Sequence, residues 1–150
     1  MKKHSFYIFI ISITALALFW GTFSLYFVAD DFVFVKSARD LSFSDLLNVE
    51  KTLNYQGFPV FLYERFIPLF VLFKLDYALW GQNAFGYHLT NLLLHILCCI
   101  GVYLLAFTLT QHQEKSFVSG LFFATHYAHV GGIAFVANRQ APTTCIFYIL

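Results

Sequence analysis

Two adjacent carboxylates, Asp30 and Asp31, follow a long uncharged stretch. Acids just outside an apolar segment are usually solvated. A pair held at a membrane edge can instead take a proton from an acceptor hydroxyl or hold a divalent metal. Further along, His88, Asn91 and His95 recur at spacings of three and four, which puts them on one helix face. His126 and His129 are three apart and share a face of a later helix. Polar groups within apolar helices often only bind a neighbouring helix, at about 0.6 kcal/mol each. Four histidines and an asparagine from two segments point further, to a polar pocket. His126-x-x-His129 offers two ligands, which is weak ground for zinc, so no metal site is assigned. No cofactor is implied, and a divalent metal at the acidic pair has no other support.

The composition decides what kind of element carries these groups. Of 150 residues, 59% are hydrophobic, 21% aromatic and 11% charged. Soluble domains carry about a quarter charged residues, so a soluble globular domain is excluded. Disorder needs low hydrophobicity and high charge, and is excluded too. A net charge of +1 without a basic run beyond Lys2-Lys3 leaves no electrostatic footprint for nucleic acid. The expectation is an all-α polytopic membrane protein whose partner is the lipid bilayer. Cys98 and Cys99 are adjacent inside one apolar run and Cys145 lies in another. They read as small apolar fillers, not as a disulfide framework.

Spanning the hydrocarbon core takes about 20 residues. Residues 5–29 carry no charge, follow Lys2-Lys3 and end in bulky side chains unsuited to signal cleavage. They read as span one, with the N-terminus cytoplasmic by the positive-inside rule. Span two is placed at 85–109 and span three at 116–138, separated by the polar turn from Gln111 to Lys115. Residues 141–150 begin a fourth apolar run that is too short to cross, so the chain reads as a truncated single membrane domain.

Residues 30–84 form an outer loop with seven of the eight acids and five of the nine bases. Within it, Ser42 to Asp45 fits a capping box opening a short helix to about Lys51, and Asn54 to Pro59 signals a turn. Phe66 to Trp80 is apolar apart from Lys74 and Asp76. A charge at mid-membrane costs about 2.5–3.5 kcal/mol on insertion scales, so this segment reads as a helix lying in the interface. Span two then runs inward and span three outward, which puts all four histidines in the outer half, under the loop and on the side of Asp30-Asp31. Small residues recur every four positions at Ser116, Gly120, Ala124, Ala128 and Gly132. That ridge reads as ordinary close helix packing.

Four stretches together carry a resemblance. They are Val28-Ala29-Asp30-Asp31-Phe32; Tyr63-Glu64-Arg65-Phe66-Ile67-Pro68-Leu69 with Leu75 to Gly81; Phe85-Gly86-Tyr87-His88-Leu89-Thr90-Asn91 through His95; and Leu121 through His126-Tyr127-Ala128-His129-Val130, ending at Arg139. The chain resembles the N-terminal part of integral-membrane glycosyltransferases of the C-type superfamily. It is most similar to protein O-mannosyltransferases and their tetratricopeptide-bearing relatives. The resemblance implies transfer of a sugar from a polyprenyl-phosphate donor to an acceptor hydroxyl, on a protein or a glycan, at the non-cytoplasmic face. The membrane would be a bacterial inner membrane or that of the endoplasmic reticulum. The resemblance also implies that Asp30 is the general base with Asp31 supporting it, and that Arg65 and Arg139 pair with the lipid phosphate, a task suited to a guanidinium fork. The chain departs from the family where Tyr127 follows His126 in place of a proline, and where Gly131-Gly132 stand near a usual acid.

Two other classes of function fit parts of the sequence. A non-catalytic membrane fragment needs a partner to be stable. A transporter using the histidines as a proton relay would favour acids within the spans, and the spans hold none.

Overall fold

The computed structural model describes residues 2–42, 44–45 and 66–149. Among them there is no strand, and the fold is all-α. Helix α1 spans Lys2–Phe19 and runs on through a tighter 3-10 turn, Trp20–Ser24. The hydroxyls of Thr22 and Ser24 donate to the carbonyls of Phe19 and Gly21, each at 2.8 Å. Leu25 is already extended. Local side-chain bonds thus close the helix before residue 29, where the apolar run alone would end it.

Helix α2 spans Asp31–Asp40. A π-helical turn, Phe66–Val71, leads into α3, Leu72–Trp80. Phe34, Val35, Ala38 and Leu41 pack with Leu69, Phe70 and Phe73 in one apolar cluster that also takes in Tyr87 and Val136. The two reciprocal bonds of a capping box join Ser42 and Asp45. The helix expected after it, the turn at residues 54–59 and Arg65 lie outside the described residues.

Helix α4, Ala84–Thr110, is the longest at 27 residues. The Asn83 side chain caps it by accepting the Phe85 N–H at 3.2 Å. Gln111, in a left-handed conformation, ends it. Helix α5, Gln113–Thr125, folds back along α4, and α1 packs against both. Ile11, Ala15, Cys99, Tyr103 and Ala124 form the seam. Two helices, Lys3–Ser24 and Ala84–Thr110, are long and apolar enough to cross a membrane. They leave Phe6, Phe9, Leu18, Leu97 and Leu109 exposed, a surface that suits lipid and not water.

The continuous third span expected over 116–138 is not one helix. After Thr125 the chain turns extended at His126, makes a 3-10 turn at Tyr127–His129, forms α6 at Val130–Ala134, turns again at Val136–Arg139 and resumes as α7, Gln140–Ile149. His126 accepts the Ala128 N–H on its own Nδ1 at 3.3 Å, which competes with the helix, and Gly131-Gly132 lower the propensity just beyond. The small-residue ridge therefore works only in its first half. Ser116, Gly120 and Ala124 are buried in α5, while Ala128 is exposed.

Gly120 shows how close that packing is. A Cβ there would lie 2.8 Å from Ile11 Cδ1 and 3.1 Å from Tyr103 Cβ. Gly120→Val should therefore force α1 and α4 apart and cost about 1–3 kcal/mol, the usual range for overpacking. Chemical denaturation of the purified chain in detergent measures this, and unchanged stability would show that α5 does not pack there.

Candidate active site

The fold gives the two neighbouring carboxylates different surroundings. Asp30 is exposed and Asp31 is 1% exposed. The turn before them has Ala29 at φ 48°, a left-handed conformation that costs a non-glycine residue of order 1–2 kcal/mol. The Asp31 carboxylate accepts the Val28 N–H at 3.0 Å on one oxygen and the Ala137 N–H at 2.7 Å on the other. An exposed carboxylate can accept a proton from a hydroxyl that reaches it. A buried one with both oxygens engaged is committed to holding backbone.

Beside this turn is a cleft of about 260 Å³ lined by Tyr26, Phe27, Phe32, Lys36, Arg39 and others. Tyr26, Phe27 and Phe32 flank Asp30 in sequence, Gln82 joins them from a distant segment, and Asp30 itself is not among the lining residues. Aromatic walls with cations among them suit a ligand that is part apolar and part anionic. Arg39 also pairs with Asp40 at 2.6 Å.

Arg139, expected to meet a lipid phosphate, is instead fully buried. Its Nη1 donates to Asp76 Oδ2 at 2.7 Å, and its guanidinium lies 4.2 Å from the centre of the Phe73 ring. Asp76 also accepts the Thr90 hydroxyl at 2.6 Å. Burial pushes the Asp76 carboxyl above the ordinary range, and Arg139 and Thr90 pull it back. Lys74 donates to the carbonyls of Ala38 and Leu41 at the end of α2. The two charges that argued for an interfacial helix therefore have partners inside the protein. Asp76 was missed as a structural anchor, although a mid-helix charge in an apolar segment signals an internal counter-charge.

The histidines divide into two groups. His95 and His129 lie with ring centroids 5.0 Å apart, and His126 is 5.9 Å from His129. Phe123 packs on His129 at 4.2 Å, and His95 Nε2 is 3.5 Å from Cys99 Sγ. His95 and His129 line a cavity of about 230 Å³ with Cys98 and Cys145. Across the two segments His95 and His129 lie together, whereas His126 neighbours His129 on its own segment and is not among the residues lining the cavity. His88 is fully buried, near the backbone of Ile133 and Leu25 but outside hydrogen-bond geometry. Asn91 points its amide at the carbonyl of Phe135, 3.1 Å away, and so ties α4 to the broken segment. Among the described residues no group of three or more potential ligands is arranged to hold a metal ion.

The chain is 37% identical over 84 residues to a protein O-mannosyl-transferase of Drosophila melanogaster, Tmtc1, covering 55% of this chain and 10% of that protein. It is 32% identical over 90 residues to the human protein O-mannosyl-transferase TMTC1, covering 59% and 10%. Over an alignment of 150 positions that takes in 93% of the chain, it is 29% identical to the mouse protein O-mannosyl-transferase TMTC2, of which it covers 17%. The chain is homologous to protein O-mannosyl-transferases. It spans between a tenth and a fifth of the length of these relatives. No family model and no solved structure matches it.

Proposed function

We propose that this chain is the part of a membrane glycosyltransferase that presents the acceptor base, and that the sugar comes from a polyprenyl-phosphate donor on the non-cytoplasmic side. The observation that carries this reading is the exposed Asp30 beside a cleft with aromatic walls, in a chain homologous to O-mannosyl-transferases. An alcohol is a poor nucleophile until a base takes its proton. Asp30 accepts that proton as the acceptor oxygen bonds to the anomeric carbon. The bond from that carbon to the phosphate oxygen breaks, and the lipid phosphate leaves with the electron pair. The acceptor is a hydroxyl on a protein or a glycan. Arg65 is assigned to the lipid phosphate, and Lys36 and Arg39 of the cleft add positive charge on the same side. His88, Asn91, His95, His126 and His129 line none of this cleft, and His95 and His129 belong to the separate cavity described above.

The assay is transfer of labelled mannose from a polyprenyl-phosphate carrier to a serine- and threonine-containing peptide, using membranes with the full-length protein. Sugar on the peptide supports the reading. Transfer only from a soluble nucleotide sugar would overturn the donor assignment.

Orientation can be tested separately. With the native cysteines replaced, a cysteine at Ser44 should react with an impermeant thiol reagent from the non-cytoplasmic side, and one at His112 should not. The basis is Lys2-Lys3 before α1 together with a Phe66–Trp80 segment that does not cross. Labelling of both from that side would mean that the segment crosses and that α4 runs the other way.

A further inference from the structure

We propose that Asp31 is a positioning residue whose carboxylate fixes the turn that presents Asp30, and not a second acid–base group. This rests on the assignment of Asp30 as the base. One Asp31 oxygen accepts the Val28 N–H and closes the loop around Ala29 and Asp30. The other accepts the Ala137 N–H, from a residue 106 positions away. Both are charge-assisted bonds to backbone, about twice as strong as neutral ones. They hold Ala29 at its left-handed φ of 48°, a conformation that lasts only where its surroundings impose it.

The far end of the clamp is itself fixed. Ala137 lies in the Val136–Arg139 turn. Arg139 ties that turn to Asp76 of α3 and also donates to the Tyr87 carbonyl at 3.4 Å. Asn91 holds the adjoining Phe135 carbonyl from α4. Asp30 is thereby referenced through Asp31 to the long membrane helix, although Asp30 itself sits on an exposed turn. A displacement of about 1 Å at a reacting group can cost about 10²-fold in rate, so a base on such a turn needs an anchor of this kind.

The test uses Asp31→Asn in the full-length enzyme, with hydrogen exchange read at Val28 and Ala137 beside transfer kinetics. An asparagine has one acceptor oxygen in place of two, so one backbone bond is lost. The expected result is about tenfold or faster exchange at one or both of these amides. The expected kinetic result is a fall of about 10²-fold in kcat, with KM for the lipid donor and the acid limb of the pH–rate profile unchanged. Unchanged exchange at both amides would overturn the clamp. Loss of the acid limb in Asp31→Asn would also overturn it, because Asp31 would then be the group that titrates. Should Asp31→Asn not accumulate, Asp31→Glu keeps the charge and displaces the carboxylate by one methylene, and the same split between exchange, kcat and KM applies. Wild-type transfer by Asp30→Asn would instead defeat the base assignment, while the exchange data would still decide the clamp.

Discussion

Asp76→Ala is expected to destabilise the chain by about 3–5 kcal/mol, the usual result of removing one partner from a buried ion pair. The mechanism is the charge left behind. Arg139 has no exposed surface, so water cannot reach its guanidinium once Asp76 Oδ2, 2.7 Å away, is gone. The Phe73 ring offers only its face, and the Val136 and Tyr87 carbonyls accept weakly at 3.2 and 3.4 Å. Thr90 loses its closer acceptor and keeps the Gly86 carbonyl at 3.2 Å. Replacing both partners with apolar residues, Asp76→Leu with Arg139→Met, should recover most of the loss, since a well-packed apolar pair often matches a buried ion pair. Unfolding of the purified chain in detergent reports both effects. A loss below about 1 kcal/mol for Asp76→Ala would mean that the pair is solvated and does not anchor α3 to the Val136–Arg139 turn.

The second large effect is catalytic. Asp30→Asn in the full-length protein should lower sugar transfer by about 10²–10⁴-fold, the range that general base catalysis contributes, and leave binding of the lipid-linked donor intact. Asparagine keeps the size and the exposed position but cannot take a proton. The change touches neither of the two backbone bonds made by Asp31, so the turn should stay in place and stability should hold. The measurement is kcat with purified donor and acceptor peptide, together with donor affinity. Transfer at the wild-type rate would make Asp30 a solvated helix end.

Helix class and the membrane setting were legible from composition and apolar run length, because burying or exposing a span to lipid depends on summed hydrophobicity and not on particular neighbours. Spacing alone also placed Ser116, Gly120 and Ala124 on a packing face, since helical periodicity is local. It failed where a distant group decides the outcome. The partners of Lys74 and Asp76, which are α2 carbonyls and Arg139, come from elsewhere in the chain and cannot be read from the segment itself. The third span looks continuous until the His126 ring captures a backbone N–H and the Asn91 amide reaches the Phe135 carbonyl from α4. Asp30 and Asp31 are the same residue type at adjacent positions, and a sequence cannot divide their labour. Their difference comes from the Ala137 N–H, 106 residues further on, which lies 2.7 Å from Asp31 Oδ1 and leaves Asp30 facing out.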